Sequence, residues 1–532
     1  MRASDGGRQL GGSFGRASLW GLWALYTILL GRLYSNLPPN PDQQIFDYIG
    51  WLGLNGGRFY IDVTEQNLPG EMVLHELSTW LFGNQIWSYR LLDYALMLLV
   101  GCGALFALAR LARRPREAYL VVPLYQAMYV SSGAWFAGQR DVVAGHLLLG
   151  VGAALLWRER GGGALWLVWI GLSIFGALLI RPNYVLFPVT LLVHEAMAAK
   201  RQSRPWRGVV SDALIVLGVM VAAAGATLLV ALKNGAFSEL YDSLVLYNAH
   251  TYTPSFLEIT LNFLRYAKSW YWYLVFAAGG LLLWWRRGIG RDVIGIFACM
   301  FATALFSAYV RGKGLGYHLG GFFPTLAIPI AATLVGVFEA LRAKRSLPRL
   351  SLAVAVALIA VIGLARKMQN ALGSQIQWML GRVSTSSMLA AANAGMEGAT
   401  MADVVAAADF VQRTTTSNET LLTVPRPVGI NFLAQRRSPS RFITFWMITS
   451  IEVRPPLAEK WNAEFARMMA NNPPKLIVVP GSGPGEEYEE YEEFWKDQNA
   501  PPPIQLLRRE LATHYALDRQ FGSMAIYRRI RS

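Results

Sequence analysis

Eleven stretches of this sequence are apolar over lengths that match the thickness of a lipid bilayer, and no other feature constrains its fold so tightly. They lie near residues 17–35, 90–109, 118–136, 142–157, 164–180, 183–199, 209–232, 270–285, 293–310, 322–341 and 350–365. At 1.5 Å per residue, runs of about 16–20 residues cross the hydrocarbon core with some tilt. Charged residues are 16% of the chain, against about 25% in soluble proteins. A β-barrel would show short alternating segments, and none dominate. The expected fold class is therefore a polytopic all-α membrane protein with about eleven transmembrane helices. The run that follows MRASDGGRQLGGSFGRAS has no clear small-residue cleavage site and reads as an uncleaved first span. Cys102 and Cys299 sit inside apolar runs, so neither supports a disulfide framework or a zinc site.

The connections between spans separate by charge. One alternate set carries Arg110, Arg113, Arg114 and Arg116; Arg158 and Arg160; Lys200, Arg201, Arg204 and Arg207; Arg286, Arg287 and Arg291; and Arg342, Lys344, Arg345 and Arg349. With the basic tail 1–16 these belong in the cytoplasm by the positive-inside rule. Most of the net charge of +15 is thus a topology signal, and a nucleic-acid partner is not expected. The other set, 36–89, 137–141, 181–182, 233–269, 311–321 and everything after 366, faces outward.

From 366 the spans stop. Short runs such as TLLTV and KLIVVP alternate with helical patterns such as PLAEKWNAEFARMMANN, which predicts an extracytoplasmic α/β domain over 366–532. The glycine-rich turn after KLIVVP lacks nucleotide-binding spacing. The acidic stretch Glu486 to Asp497 reads as a solvated helix face.

Ionisable residues at the membrane boundary tend to mark function, and four outward clusters stand out. The opening loop NPDQQIFDYIGWLGLNGGRFYIDVTEQNLPG carries Asp42, Asp47, Asp62 and Glu65, with Tyr60 among them; GQRD holds Arg140 and Asp141; RPNY holds Arg181; RGKGLGYHLGG holds Arg311, Lys313, Tyr317 and His318. Carboxylates on one loop and cations on others define a cavity that holds an anion beside a base. Transfer of a sugar from a lipid phosphate needs that pairing: a carboxylate to take the acceptor's proton and fixed positive charge for the departing phosphate. Phosphate is already a good leaving group, so no second carboxylic acid is required.

The opening loop resembles the first outer loop of the GT-C glycosyltransferases, in particular bacterial family-39-like enzymes related to protein mannosyltransferases and the lipid A aminoarabinose transferase. The matching residues are Asp42, Phe46, Tyr48, Gly56, Tyr60, Asp62, Pro69 and Gly70, then Gly138 to Asp141, then Lys313 to His318. The resemblance covers about residues 17–365, a transmembrane glycosyltransferase domain whose first outer loop is 36–89. It implies a GT-C-like fold in a bacterial inner membrane, with the N-terminus cytoplasmic and the C-terminal domain periplasmic. Carried over by position, Asp42 is the catalytic base, and Tyr60, Asp62, Glu65, Arg140, Asp141, Arg181, Lys313, Tyr317 and His318 contact substrate. Gln43 departs from the pattern, which has Glu there.

Plainer roles stay open. Asp42 could cap the helix that starts near Gln43. Asp47 is expected on the exposed side of that helix, Arg140 and Asp141 could pair with each other, and Arg181 could snorkel to headgroups. His75 and Glu76 fit an interfacial helix, and His146 and His194 are expected to pack inside spans. No cluster has metal-ligand spacing, so no metal site is assigned, although a divalent cation is left open. The expected activity is inverting sugar transfer from a polyprenyl-phosphate donor to a lipid, glycan or protein hydroxyl. The alternatives are a ligase or polymerase of the O-antigen type using polyprenyl diphosphate, or a lipid or polysaccharide transporter, which would carry ionisable residues at mid-membrane and paired repeats.

Overall fold

The computed structural model describes residues 6–248, 255–286, 291–310, 316–342, 347–394, 398–425, 428–449, 455–480 and 499–530. Among the described residues, fourteen main helices lead up to the C-terminal region: α1 (Gly6–Ser35), α2 (Pro41–Leu54), α3 (Gly70–Phe82), α4 (Ser88–Leu111), α5 (Pro115–Val130), α6 (Arg140–Glu159), α7 (Leu165–Ile180), α8 (Leu186–Arg201), α9 (Trp206–Lys233), α10 (Phe256–Ala267), α11 (Tyr271–Arg286), α12 (Arg291–Val310), α13 (Phe323–Arg342) and α14 (Leu347–Met379). All of them except α2, α3 and α10 fall on the predicted apolar intervals. Among the described residues five helices are long and apolar enough to cross a membrane by length and composition: Ser88–Leu111, Arg140–Glu159, Trp206–Lys233, Val293–Val310 and Tyr317–Arg342. Leu165–Ile180 is apolar but shorter.

Burial distinguishes the centre of the bundle from its rim. Helix α6 is the most enclosed of the five, whereas the apolar window of α9 is not buried at all. The small residues of α6 explain its place. A Cβ on Gly145 would fall 2.7 Å from the Gly321 carbonyl oxygen, and one on Gly152 would meet Ile296 at 2.6 Å. The Gly321 backbone therefore reaches α6 at Gly145 and the Ile296 side chain fills the space at Gly152, so a larger residue at either position would clash. On α9, Leu214, Leu217, Val221 and Leu229 point outward, which is stable only against lipid or another apolar surface.

Helix α14 runs on past residue 366 to Met379. The C-terminal region after it holds α15 (Met401–Thr414), α16 (Pro455–Asn471), α17 (Pro502–His514) and four strands, β1 (Leu421–Thr423), β2 (Leu476–Pro480), β3 (Tyr515–Phe521) and β4 (Met524–Arg529). The sheet order is β1-β2-β4-β3, with β1 and β2 parallel and the remaining pairs antiparallel. Alternation along the strands gives the sheet two apolar faces. Leu421, Leu476, Val478 and Ile526 pack against Val404, Ala407 and Val411 of α15. Leu422, Ile477, Val479 and Ala525 pack against Trp461 and Phe465 of α16 and Leu507 of α17. The acidic stretch Glu486 to Asp497 and the turn after β2 lie outside the described residues.

Candidate active site

The first site residue owes its position to a helix cap. Asn40 caps α2: its side chain accepts from the Gln43 amide at 2.9 Å, and the Gln43 side chain accepts from the Asn40 amide at 3.3 Å. Pro41 takes the first helical position, as its fixed φ allows. Asp42 is thereby relieved of capping, and its carboxylate lines a cavity of about 1330 Å³.

Gln43 holds the opposite turn as well. Its amide donates to the Ala137 carbonyl at 2.8 Å. A Glu at this position could not donate, and its carboxylate would face a carbonyl oxygen. The Gln43 departure is therefore what this contact requires. Gly138 beside it has φ +63°, and a Cβ there would meet Gln43 Nε2 at 2.6 Å and Tyr89 at 2.7 Å. Arg90 ties the same two segments from below. Its buried guanidinium donates to the carbonyls of Leu37 (3.2 Å), Pro38 (2.7 Å), Ala134 (3.2 Å) and Ala137 (2.6 Å). The turn thus delivers Arg140, the first residue of α6, to the cavity wall with Nη2 3.8 Å from Asp42 Oδ2 and the guanidinium 5.0 Å from the centre of the Phe46 ring. At 3.8 Å the two groups attract without a hydrogen bond, and the Asp42 side chain is 31% exposed, so a hydroxyl can reach it.

The second acid arrives on the same loop. Tyr60 adopts φ 68° and donates its hydroxyl to the Asn67 carbonyl at 2.7 Å, closing the segment 60–67. Glu65 accepts from the Asn67 amide at 3.1 Å and lines the cavity with Gln66 and Asn67. Burial pushes the Glu65 carboxyl above its usual range; Arg140 and Asn67 oppose that shift and Asp42 adds to it. The C-terminal region backs the loop: Thr64 donates its amide to the Arg441 carbonyl at 2.8 Å, Arg441 donates to the Tyr60 carbonyl at 3.1 Å, and Thr444 and Trp446 join the cavity wall. Across the cavity stand Tyr317 and His318 ahead of α13, Trp270 and Tyr273 at the start of α11, and Lys367 and Asn370 on α14.

The structure thus brings Asp42, Glu65, Arg140, Tyr317 and His318 to one cavity, with Tyr60 buried behind Glu65. Lys313 and Arg311 lie outside the described residues. Three of the expected contacts lie elsewhere. Asp62 does not line the cavity; it pairs with Arg58 at 3.3 Å and accepts from the Arg58 amide at 2.8 Å, at the protein surface. Asp141 and Arg181 are fully buried and paired with each other at 2.5 Å, behind the cavity wall. The cause is the 100° step of a helix: Arg140 faces the cavity, so Asp141 turns into the bundle. Arg181 is accordingly not a headgroup-level side chain. Asp47 is also buried, against the expectation of an exposed face. His75 Nδ1 lies 2.7 Å from it and stacks on Tyr89 with ring centres 3.5 Å apart. Glu71 Oε1 is 3.6 Å from His75 Nε2. Burial disfavours the His75 charge, but Asp47 and Glu71 together outweigh it and hold the imidazole above its usual range.

Lys367, Asn370, Trp270, Tyr273, Thr444 and Trp446 are cavity residues that the sequence patterns did not single out. Lys367 carried a signal: a cation following an apolar run, in a stretch that the charge pattern of the sequence assigns to the outward side. Among the described residues no group of three or more His, Cys, Asp and Glu side chains is arranged to hold a metal ion.

The arrangement of helices is that of the GT-C fold. The solved structures that superpose on this chain include ArnT from Cupriavidus metallidurans bound to undecaprenyl phosphate, at 15% identity, covering 96% of this chain and 98% of that one with a TM-score of 0.60. The apo state of the same protein covers the same shares at 15% identity and a TM-score of 0.55. No protein-family model matches the sequence, and comparison with curated proteins gives no match.

Proposed function

We propose that this protein is an integral-membrane glycosyltransferase that moves a sugar from a polyprenyl-phosphate donor to a hydroxyl acceptor, with inversion, on the extracytoplasmic face of a bacterial inner membrane. In this proposal all eleven apolar helices cross the bilayer and the soluble region lies outside. The observation that carries it is Asp42 facing Arg140 at 3.8 Å inside a large cavity built at one end of the bundle. One structural neighbour, ArnT from Cupriavidus metallidurans, was crystallised with undecaprenyl phosphate, and we carry that class of lipid to this chain.

The chemistry then follows from the groups present. The acceptor oxygen attacks the anomeric carbon from the side opposite the phosphate. The bond from that carbon to the phosphate oxygen breaks, and its electron pair leaves on the phosphate. Asp42 takes the acceptor's proton. Arg140, His318 and Tyr317 offset the charge that develops on the phosphate. Glu65, set deeper and held by Asn67, orients the sugar hydroxyls. Aromatic rings at Phe46, Trp270, Tyr273 and Trp446 provide apolar faces for sugar and lipid. A ligase using polyprenyl diphosphate would not need the early acidic loop that lines this cavity.

Purified protein incubated with a panel of polyprenyl-phosphate sugars is expected to release polyprenyl phosphate and glycosylate an acceptor, and Asp42→Asn is expected to stop it with folding intact. Full turnover by that variant would remove Asp42 as the base.

A further inference from the structure

Lys367 follows the apolar run of α14 and lines the cavity. Helix α14 begins at Leu347. Twenty residues on, at a rise of 1.5 Å each, the chain has climbed about 30 Å, the thickness of the hydrocarbon core. On the proposed topology, Lys367 therefore sits near the outer boundary of that core. Its neighbour Arg366 is exposed, whereas Lys367, Asn370 and Ala371, spaced as one helical face, all line the cavity that holds Asp42 and Arg140. The ammonium lies 4.4 Å from the centre of the Tyr273 ring and 6.0 Å from that of Trp270. Both rings also line the cavity, so cation–π attraction keeps the charge over its wall.

The charge distribution asks for such a group. Arg140 already serves Asp42 at 3.8 Å and opposes the burial shift of Glu65. Among the described residues that line the cavity, Arg140, His318 and Lys367 are the basic side chains facing the two carboxylates, and a phosphate entering there gains from each further positive charge. Lys367 supplies an ammonium from a different helix than Arg140.

We propose that Lys367 binds the phosphate of the lipid-linked donor, an assignment that rests on the glycosyltransferase proposal above and adds to it. The lipid tail lies along the bundle below this point, and the phosphate sits between Lys367 and the wall formed by Arg140 and His318. The ligand class is a long-chain polyprenyl phosphate monoester, recognised by charge at the headgroup.

The test compares binding of undecaprenyl phosphate with binding of undecaprenol, which has the same tail and no charge, to the full detergent-solubilised chain. Wild type is expected to prefer the phosphate. In Lys367→Met the preference should fall by about tenfold or more, as for loss of one charge-assisted contact, while undecaprenol binding stays at the wild-type level. Lys367→Arg should retain most of the preference, and Lys367→Gln should behave as Met if the methionine variant fails to fold. A methionine or glutamine variant that keeps the full preference overturns the role of Lys367 and leaves the glycosyltransferase proposal standing. Wild type that does not distinguish the two lipids overturns both.

Discussion

Arg140 and Asp141 are adjacent in the chain and belong to two different ion pairs, and on the proposed function their contrast divides this site into a reactive half and a supporting half. The pair in the cavity, Arg140 with Asp42, is loose at 3.8 Å, and its acid is 31% exposed. The pair behind it, Asp141 with Arg181, is tight at 2.5 Å, and neither side chain meets solvent. A base must reach a substrate hydroxyl and change protonation state, so it cannot be locked into a short contact. A strut must not move, and a buried, hydrogen-bonded pair is costly to break. One helical step separates the two duties.

Variants that neutralise one acid of each pair separate them most sharply. Asp42→Asn is expected to lower turnover by about 10²–10⁴-fold, the usual contribution of a positioned base, with the melting temperature in detergent unchanged. Asp141→Asn should do the reverse in kind. It leaves Arg181 charged in the bundle and should cost about 3–5 kcal/mol of stability, read as a large fall in melting temperature. If Asp141→Asn kept its melting temperature and lost turnover, Asp141 would belong to the reactive half.

A smaller effect is expected at Gln43, which joins the two halves. Gln43→Glu replaces an N–H donor to the Ala137 carbonyl with a carboxylate. An unsatisfied buried partner costs about 1–3 kcal/mol, and the turn that delivers Arg140 should loosen. Both melting temperature and turnover should drop, with the loss in turnover exceeding that in a distant variant of equal stability. Equal losses in the two would make Gln43 a strut alone.

Much of this site is legible in the chain because its parts are local. Apolar runs mark the helices, alternating basic connections mark their ends, and Asp42, Glu65, Arg140, Tyr317 and His318 all fall on connections assigned to one side. What local pattern does not record is direction and distance. Asp62 sits in the same loop as Glu65 yet closes a surface turn with Arg58, because four residues of chain are enough to complete that turn by themselves. Asp47 looked exposed until α3 folded back over α2. Gly50 allows that approach, since a Cβ there would lie 2.5 Å from the backbone of His75 and Glu76. Lys367 lay beyond the end of an apolar run, and hydropathy registers the end of the lipid core rather than the end of the helix. Thr444 and Trp446 come from a segment hundreds of residues from Asp42, and nothing in either stretch announces the other.

The smallest effects lie in the pH dependence of stability, and they sharpen the contrast once more. His75 is buried against Asp47 and Glu71, with Phe46 and Tyr89 on its ring faces, and its folded value is raised. Stabilisation from its charge is therefore complete below the unfolded value of about 6.5 and is lost as pH rises through the higher folded value. Glu65 has a raised folded value as well, but it is an acid: the folded state holds its proton longer than the unfolded chain does. Stability falls as pH rises from the ordinary carboxylate range, about 4.3, up to that raised value. Both slopes have the same sign, in different windows. Thermal melts from pH 4 to pH 9 should show the lower step vanish in Glu65→Gln and the upper step vanish in His75→Gln. Because Glu65 faces the cavity and His75 does not, undecaprenyl phosphate should shift the lower step and leave the upper one in place. A ligand that moved the upper step instead would put the His75 cluster, now counted with the struts, in the reactive half.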